Sequence, residues 1–451
     1  MDINKVFRDP IYKLISFHKK EDEVILKIIS TPEFQRLRRI RQLGLSSFTY
    51  PTAVHDRFSH SLGVAYVIEL FFHNLNIPDT VITTTKEGDE IELTKKQLKL
   101  LIKLAGILHD IGHGPFSHAF ESITDSDHEE MTKKIISNEE GNIYKILTSM
   151  QDEILSKYAP FWINEIISGT FSPIWAKELI SSQLDADRID YLLRDAYMCG
   201  VNYASFDLTW FFQNIEIGKI KNEEGRDGLL VNAKKGIHAI ESFIISRYHM
   251  YEQVYFHKTT RCFELIVQGI FKRLRYLIEN DMIPRTPFGG YLVDFIKNNN
   301  NLNSYLLLDD FSLYTHFNHW TNSNDEILSN LCKSLIYREP YKMFKEVEND
   351  SLFSRKDYTY LRTLFTDDED FDYCFLEDEY LNIAYKDSYL LGEKKHDRAE
   401  HIWLQYPNGD LKEFSEVSPI VKSLKNKVLH KKRAYIHRSY KEQVLIKNKQ
   451  L

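Results

Sequence analysis

The chain is poor in cysteine, in excess positive charge and in long apolar runs, and each shortage excludes a class of protein. Its 451 residues include four cysteines, which lie far apart with no Cys-x-x-Cys pair, so neither a disulfide framework nor a thiolate zinc site is expected. The net charge of −7 offers no global basic field for nucleic acid or a membrane surface. No run of about 18 apolar residues occurs, and the opening MDINKVFRDP has no apolar segment, so we expect a cytoplasmic protein without a membrane span.

What the sequence does contain is a hydrophobic fraction of 43%, enough for a large core. From about residue 20 to 285 the apolar residues recur mostly at helical spacing, which predicts a helical bundle. Farther along, HIWLQYPNGDLKEF carries an Asn408-Gly409 turn between alternating segments, which predicts a β-hairpin, and KRAYIHRSY alternates again. We therefore predict a mainly α fold, with a core at 1–285 and a smaller mixed α+β region at 286–451 that stabilises an oligomer. The acidic run TDDEDFD (366–372) is predicted to be a solvated loop.

One stretch, LAGILHDIGHGPFSHAFE, brings three histidines and an aspartate together within ten residues, directly after an apolar helical run. They are His109, Asp110, His113 and His118. Buried ionisable side chains need partners, so two explanations stay open: hydrogen-bonded core histidines, or ligands of a divalent metal. The His-Asp dipeptide alone decides nothing, because it also occurs at His55 and His396, the latter in a charged run that predicts a solvated loop.

Two further segments carry polar stripes at helical spacing. On SSQLDADRIDYLLRDAY, a rotation of about 100° per residue gathers Asp187, Arg188, Tyr191 and Asp195 on one face. On SRYHMYEQVYFHKTTR, the same projection gathers Arg247, Tyr251, Tyr255 and Lys258 on one face of a single helix. Cations and aromatic rings on one stripe suit a phosphate together with a sugar or a base. A surface stripe with internal ion pairs and snorkelling side chains is the other explanation.

Six motifs in a fixed order now point to a known family. They are QRLRRIRQLG, HDRFSHSLGVAYV, LAGILHDIGHGPFSHAFE, DHEE, LDADRIDYLLRD and YEQVYFHK. This set resembles the HD-domain deoxynucleoside triphosphate triphosphohydrolases, which include bacterial dGTPase-like enzymes and the mammalian SAM-and-HD-domain enzyme. The match runs from about Lys5 to beyond residue 260, and it implies an HD-domain helical bundle.

The resemblance also implies a role for each matching residue. The metal ligands would be His60, His109, Asp110 and Asp187. The catalytic residues around the reacting phosphate would be His113, His118, His128, Glu121 and Asp187. The substrate-binding residues would be Gln42, Leu43, Arg57, Arg188, Tyr191, Asp195, Arg247, Tyr251, Tyr255 and Lys258. A possible activating-nucleotide site would comprise Lys5, Val6, Gln35 and Arg38.

The sequence departs from the family pattern at two positions. Ser30 stands where an acid would recognise guanine in the activator site. Phe256 stands where the mammalian enzyme has a glutamine that reaches the sugar. Selectivity for a guanine activator is therefore not implied for this chain, and deoxyribose selection is expected to depend on Tyr255.

The function that the resemblance implies is metal-dependent hydrolysis of a deoxynucleoside triphosphate (dNTP) to a deoxynucleoside and inorganic triphosphate. A divalent metal activates water near neutral pH, and nearby cations spread the developing charge. A histidine, which we assign to His118, protonates the leaving 5′-oxygen. Histidine and aspartate ligands accept magnesium, manganese, iron or zinc, so the ion is not specified. The resemblance further implies a homo-oligomer, with four subunits as the family precedent.

Two alternatives stay open. In the first, the metal centre is kept and the substrate is another nucleotide phosphoester, such as guanosine tetraphosphate or a phosphodiester, although the HDxxED arrangement of the former is absent after Asp110. In the second, the chain senses nucleotides or binds single-stranded nucleic acid with little turnover, through the basic runs QRLRRIRQ and HKKRAYIHRSY. Complete metal ligands argue against the second.

Overall fold

The computed structural model of the chain describes residues 4–117, 120–121, 127–220, 226–287, 290–298, 301–365, 367–383, 401–425 and 428–440. His118, the predicted general acid, and the His396-Asp397 dipeptide lie outside these residues. Within the described ranges, no helix has both the length and the apolar character needed to cross a membrane.

The architecture is mainly α-helical with small sheets, as predicted. The helices are α1 (Glu23–Ile29), α2 (Pro32–Gln35), α3 (Arg57–Asn74), α4 (Lys95–Leu108), α5 (His128–Ile136), α6 (Asn142–Thr148), α7 (Glu153–Ile167), α8 (Ile174–Glu178), α9 (Ala186–Cys199), α10 (Leu208–Phe212), α11 (Ile237–Met250), α12 (Lys258–Glu279), α13 (Tyr291–Lys297), α14 (Leu302–Leu306), α15 (Asp310–Trp320), α16 (Glu326–Ile336), α17 (Arg355–Arg362), α18 (Asp368–Cys374), α19 (Phe414–Val417) and α20 (Pro419–Leu424). The strands are β1 (Lys5–Asp9), β2 (Lys13–Phe17), β3 (Thr80–Thr84), β4 (Glu90–Thr94), β5 (Ile215–Ile220), β6 (Arg226–Asn232), β7 (Lys342–Glu348), β8 (Phe375–Ile383), β9 (Trp403–Gln405), β10 (Leu411–Glu413) and β11 (Val428–Ile436).

The strands form two isolated hairpins and two larger sheets. β1 pairs with β2 and β3 with β4, both antiparallel. The hairpin predicted around Asn408-Gly409 is confirmed, because β9 and β10 pair antiparallel across it and Gly409 adopts the left-handed backbone with φ 83°. β9 also pairs in parallel with β6, which gives the order β10-β9-β6-β5. The first part of the alternating segment KRAYIHRSY, residues 432–436, lies in β11. This strand is the central one in the order β7-β11-β8.

The helices that position the site form a continuous apolar core. Side chains such as Ile68 of α3, Leu104 of α4, Trp162 of α7 and Leu192 of α9 are fully buried in it. Local signals fix where these helices begin: Thr94 and Gln97 form a capping box at the start of α4, which satisfies otherwise unpaired backbone N–H groups. α4 ends at Leu108, so the His-Asp dipeptide lies at the buried end of the helix.

A second hydrophobic cluster joins the two predicted halves of the chain. It combines α12, α15 and α16 with Phe116, Phe120 and Met131 from the first half and with Tyr435 of β11. The predicted boundary at residue 285 falls between α12 and α13, inside the sequence span of this cluster, and stays a prediction. The acidic run at 366–372 was expected to be a loop, and this expectation is wrong because most of it forms α18.

Strands β8 and β11 pack against the start of α12 through buried polar contacts. Arg261 of α12 binds Asp378 of β8, with Nη2 at 2.5 Å and Nε at 3.1 Å from Oδ1. The hydroxyl of Tyr435 donates to the carbonyl of Lys258 at 3.0 Å, and Arg433 Nη1 donates to the carbonyl of Phe256 at 2.7 Å. These contacts attach the last sheet of the chain to the segment that precedes and opens α12.

The ion pair between Arg261 and Asp378 predicts a clear difference in stability from a matched exposed pair. Asp378 is 1% exposed, so Asp378→Ala leaves a largely desolvated guanidinium short of a partner and should lower the free energy of unfolding by about 3 kcal/mol. Asp372 pairs with Lys272 at the surface, where the two side chains are 45% and 56% exposed. Asp372→Ala should therefore change the free energy of unfolding by about 0.5 kcal/mol or less. Urea denaturation of both variants measures the difference. Equal losses of unfolding free energy would contradict the claim that the buried pair attaches β8 to α12.

Candidate active site

A cavity of about 480 Å³ opens where α3, α4, α9 and α11 converge. It is lined by most of the residues that the sequence analysis singled out for substrate. They are Gln42, Leu43, Arg57, Arg188, Tyr191, Asp195, Arg247, Tyr251 and Tyr255. His109, Asp110, His113, His128 and Asp187 line the same space. Lys258 is exposed, and the structure does not bring it into this lining.

Three separate elements bring the four predicted metal ligands together. His60 comes from the first turn of α3, His109 and Asp110 follow the end of α4, and Asp187 lies in the first turn of α9. His60 Nε2 lies 3.0 Å from Asp187 Oδ1 and 3.6 Å from Asp110 Oδ2. His109 Nε2 lies 3.3 Å from Asp110 Oδ1 and 3.5 Å from Asp187 Oδ1. One ligand atom each from His60, His109 and Asp187 lies within 4.8 Å of the others.

The ring nitrogens of His60 and His109 are arranged as they would be in two metal ligands. In each ring Nδ1 has a hydrogen-bond partner: Asp190 Oδ2 at 2.8 Å for His60, and the carbonyl of Gly106 at 2.8 Å for His109. Since a carbonyl can only accept, Nδ1 of His109 carries the proton and Nε2 presents a lone pair. Both Nε2 atoms are buried and face carboxylate oxygens at 3.0 to 3.6 Å, without a hydrogen bond of good geometry among the described residues. This donor set fits a divalent ion.

The electrostatics of this centre favour a positive charge between the ligands. Burial lowers the pKa of His60, but Asp187, Asp190 and Asp110 outweigh it and raise the pKa to about 10. Burial raises the pKa of Asp110, but Arg57 and the neighbouring histidines hold it well below its usual range. The carboxylates therefore stay ionised at neutral pH and attract either protons or a metal ion.

Behind His60 lies a buried chain of charges that the sequence analysis missed. Arg194 donates from Nε to Asp190 Oδ2 at 2.8 Å and from Nη2 to Asp190 Oδ1 at 2.9 Å. Its Nη1 donates to Asp9 Oδ2 in β1 at 2.7 Å. Asp190 thereby fixes the ring orientation of His60, a usual task of the carboxylate behind a metal-binding histidine. The available signal was the spacing of Asp190 and Arg194, four residues apart on one helix.

Beside the metal ligands, His113 and His128 form a stacked pair around Glu121. The ring centroids are 4.0 Å apart with an interplanar angle of 11°, and the two Nδ1 atoms lie 3.2 and 3.0 Å from Glu121 Oε1. A metal ion lies close to the plane of each imidazole that binds it, and two rings stacked face to face lie in different planes, so these two rings are not both directed at one ion. Burial and Arg57 lower the pKa of His113 to about 4, whereas Glu121 outweighs burial and raises that of His128. The pair is therefore suited to holding and moving a proton.

The loop that carries His113 is held from several sides. Arg57 donates to Asp110 and, from Nη2, to Ser117 Oγ at 2.8 Å. Arg36 Nη1 donates to the carbonyl of His113 at 2.9 Å, and the hydroxyl of Tyr305 donates to the carbonyl of Gly112 at 2.5 Å. The cationic Arg57 thus lies between a metal ligand and the end of the loop, directed into the cavity.

On the opposite wall, Tyr255 and Asp195 form a polar pair that faces the cavity. Burial and Asp195 raise the pKa of Tyr255 well above its usual value, so the hydroxyl keeps its proton and donates to Asp195 Oδ2 at 2.8 Å. His55 Nε2 lies 2.7 Å from Asp195 Oδ1 and was not expected in the site. Its neighbour Asp56 has a different task, since it caps α3 through the amide of Ser59 at 2.8 Å.

The second predicted stripe is not a single helix. α11 ends at Met250, residues Tyr251–Tyr255 form a π-helical turn, and α12 begins at Lys258. A π-helical turn is wider than an α-helical one, so a projection at 100° per residue fails beyond Met250. Arg247, Tyr251 and Tyr255 still reach the cavity, with the Arg247 guanidinium 5.6 Å from the Tyr251 ring centre, whereas Lys258 does not.

The four residues of the possible activator site lie outside the cavity. Lys5 and Val6 are exposed on β1, Gln35 ends α2, and Arg38 lies in the turn that follows. Lys5 Nζ is 5.7 Å from the centre of the Phe7 ring. Phe7 contacts Phe58, with ring centres 6.4 Å apart, and the Arg38 guanidinium lies 3.5 Å from the centre of the Phe58 ring. Lys5 and Arg38 therefore flank one aromatic surface, and their role stays a prediction.

Comparisons with known proteins agree with this geometry. The HD domain family matches residues 57–195, and the HD associated region matches residues 219–287. The chain is 34% identical over 428 residues to the uncharacterised protein YwfO of Bacillus subtilis, which covers 94% of this chain and 90% of that protein. It is 27% identical over 287 residues to the deoxynucleoside triphosphate triphosphohydrolase SAMHD1 homologue of Dictyostelium discoideum, covering 59% of this chain and 49% of that protein. The crystal structure of a phosphohydrolase from Bacteroides thetaiotaomicron matches with a TM-score of 0.76 at 25% identity, covering 97% of this chain and 100% of that one.

The contact between His60 and Asp190 predicts that Asp190 controls metal affinity. Asp190→Asn removes the charge that orients the His60 ring and should weaken binding of Mn²⁺ by about 10- to 100-fold. Calorimetric titration of the metal-free protein measures this, with circular dichroism to confirm that the variant is folded. The control is Asp294→Asn, an exposed carboxylate on α13. Unchanged affinity in Asp190→Asn would remove His60 from the ligand set.

The close approach of α9 to α3 predicts that Gly63 is essential. A Cβ at Gly63 would lie 1.8 Å from Asp190 Oδ1 and 2.4 Å from Arg194 Nη2. Gly63→Ala should therefore lower the free energy of unfolding by about 2 kcal/mol through overpacking and weaken metal binding as well. Gly269→Ala in α12 is the matched control, because its Cβ would meet Leu331 at an ordinary 3.4 Å and alanine favours a helix by about 1 kcal/mol. Similar losses in both variants, measured by denaturation, would contradict this explanation.

Proposed function

Since the chain belongs to the HD-domain family and resembles its deoxynucleoside triphosphate triphosphohydrolases, we propose that it hydrolyses dNTPs to a deoxynucleoside and inorganic triphosphate. One observation carries the proposal. A histidine and carboxylate centre fit for a divalent ion shares a cavity with three arginines and a cluster of tyrosines. The three arginines are Arg57, Arg188 and Arg247.

The chain's own residues divide the work of this reaction among them. His60, His109, Asp110 and Asp187 would hold the ion, which when bound supplies Lewis-acid activation of water near neutral pH. The three arginines compensate the charge of a triphosphate and of the transition state. The bond that breaks joins the α-phosphorus to the 5′-oxygen, and the oxygen of water takes its place on phosphorus. His113 and His128 hold a proton beside this centre, and the 5′-oxygen must receive one to leave.

The tyrosine wall supports a nucleoside as the other part of the substrate. The Tyr255 hydroxyl donates its proton to Asp195, so the Tyr255 oxygen presents its lone pairs to a ligand hydroxyl. The ring of Tyr191 lies 6.2 Å from that of Tyr255, and Tyr251 lies 4.9 Å from it. Together these rings offer an apolar surface with a polar edge, which suits a deoxyribose better than a phosphodiester backbone.

The nucleic-acid alternative has less support, because both basic runs make contacts within the chain. Arg36 is buried, Arg39 binds Asp309 at 2.5 Å and Arg41 donates to Ser47 at 2.6 Å. In the C-terminal run, Lys431 pairs with Glu252 at 2.7 Å, and Arg433 pairs with Glu346. Unlike the three arginines of the cavity, these cations do not line the space beside the candidate metal centre, and each already has a partner within the chain.

Product analysis with each dNTP and each ribonucleoside triphosphate tests the proposal. With Mn²⁺ or Mg²⁺, we expect deoxynucleoside and triphosphate in equal amounts, and ¹⁸O from labelled water in the triphosphate. Asp187→Ala should lose roughly 10³-fold in rate, whereas Asp368→Ala, with a side chain 82% exposed, should not change the rate. Release of pyrophosphate or of monophosphate, or full activity in Asp187→Ala, would refute the proposed reaction.

A further inference from the structure

Asp310 joins two walls of the cavity although it lies far from both in the sequence. It is the first residue of α15 and is 2% exposed. Its Oδ1 accepts the backbone amide of Phe116 at 2.8 Å, and its Oδ2 accepts the backbone amide of Arg41 at 2.9 Å. Arg41 directly precedes Gln42 and Leu43, and Phe116 belongs to the loop that carries His113.

The loop held by Asp310 has a backbone conformation that needs support. Phe116 and Ser117 have φ of 55° and 52°, in the left-handed region that residues with a side chain rarely adopt. The Phe116 ring packs on Tyr314 and Phe317 of α15, with centres 5.1 and 5.9 Å apart. α15 therefore holds this turn through both its backbone and its side chain.

The opposite segment approaches the same turn closely. Gly44 has φ 47°, and a Cβ at this position would lie 3.1 Å from the carbonyl oxygen of Phe116. Ser117 Oγ is 3.2 Å from the carbonyl of Arg41, to which it donates. The 41–44 segment and the 116–117 turn thus form one joint, and the carboxylate of Asp310 accepts a hydrogen bond from each side of it.

Helix capping does not account for Asp310. The neighbouring Asp309 caps α15, since its Oδ1 accepts the amide of Ser312 at 2.8 Å, and it also binds Arg39. Burial raises the pKa of Asp310 to about 6, so at neutral pH it is mainly ionised and both oxygens can accept. A buried carboxylate that accepts two distant backbone amides costs desolvation without serving its own helix.

We propose that Asp310 is a positioning residue that sets the distance between the sugar-side segment at 41–44 and the catalytic loop at 112–117. This rests on the proposed function, in which these two walls hold the two ends of one substrate. Without the carboxylate, two buried amides lose their acceptor and the left-handed turn relaxes. Errors of about 1 Å in such placement cost roughly 10²-fold in rate.

Kinetics of Asp310→Ala and Asp310→Asn, beside the matched Asp309→Ala, test the proposal. Asp310→Ala should lower kcat for dNTP hydrolysis by roughly 10²-fold with a smaller change in KM and unchanged Mn²⁺ content. Asp310→Asn keeps one acceptor oxygen and should fall between Asp310→Ala and the wild type. Asp309→Ala should lower Tm through the lost cap and leave kcat within about twofold at temperatures where it is folded. Loss of kcat in proportion to the loss of Tm across the three variants would overturn the positioning role.

Hydrogen exchange separates this proposal from the proposed function. In Asp310→Asn, amides in the 112–117 and 41–44 segments should exchange faster while those of α3 and α4 keep wild-type protection. If the wild type hydrolyses no dNTP, the proposed function fails and the exchange pattern still tests the joint. Wild-type protection in both segments of the variant would refute the joint whatever the substrate.

Discussion

The buried meeting of His60 with Asp110, Asp187 and Asp190 is the constraint on which the rest of this structure depends. Removing several carboxylates from water costs several kcal/mol per ion, and only paired charges or a metal compensate that cost. Buried arginines supply the opposite charge, since Arg57 pairs with Asp110 and Arg194 pairs with Asp190. The positions of α3, α4 and α9 follow from these contacts, and α3 carries a glycine at the point where the carboxylate of α9 comes closest.

The described residues of the last third of the chain support the same centre, and none of them belongs to the candidate metal ligands. Tyr305 and Asp310 hold the backbone of the loop after α4, and β8 and β11 hold the segment that carries Tyr251 and Tyr255. From the sequence, this region was predicted to stabilise an oligomer, and that role stays a prediction. Its contacts within the chain already explain why it packs here, because it binds the loop after α4 and the segment before α12, which both line the cavity.

The residues that meet in the candidate metal centre, and most of the cavity lining, were predicted because they lie in short motifs that resemble those of a known family. His109 follows an apolar helix, and Asp187 follows a helix cap, so their placement could be inferred from their neighbours. His55 and Asp310 had no such signal, because their partners lie 140 and 269 residues away. The π-helical turn after Met250 was equally invisible, since regular spacing assumes a regular helix, and this is why Lys258 was misplaced.

A further consequence concerns the N-terminal hairpin, which reaches the metal ligand through three consecutive contacts. Asp9 at the end of β1 binds Arg194, Arg194 binds Asp190, and Asp190 binds the ring of His60. Lys5 and Val6 lie on the same strand as Asp9. Contiguity alone is not energetic coupling, which requires an element with two states. The structure shows what such a movement would cost: separating Asp9 from Arg194 leaves a buried guanidinium with Asp190 as its remaining carboxylate partner, which opposes the movement.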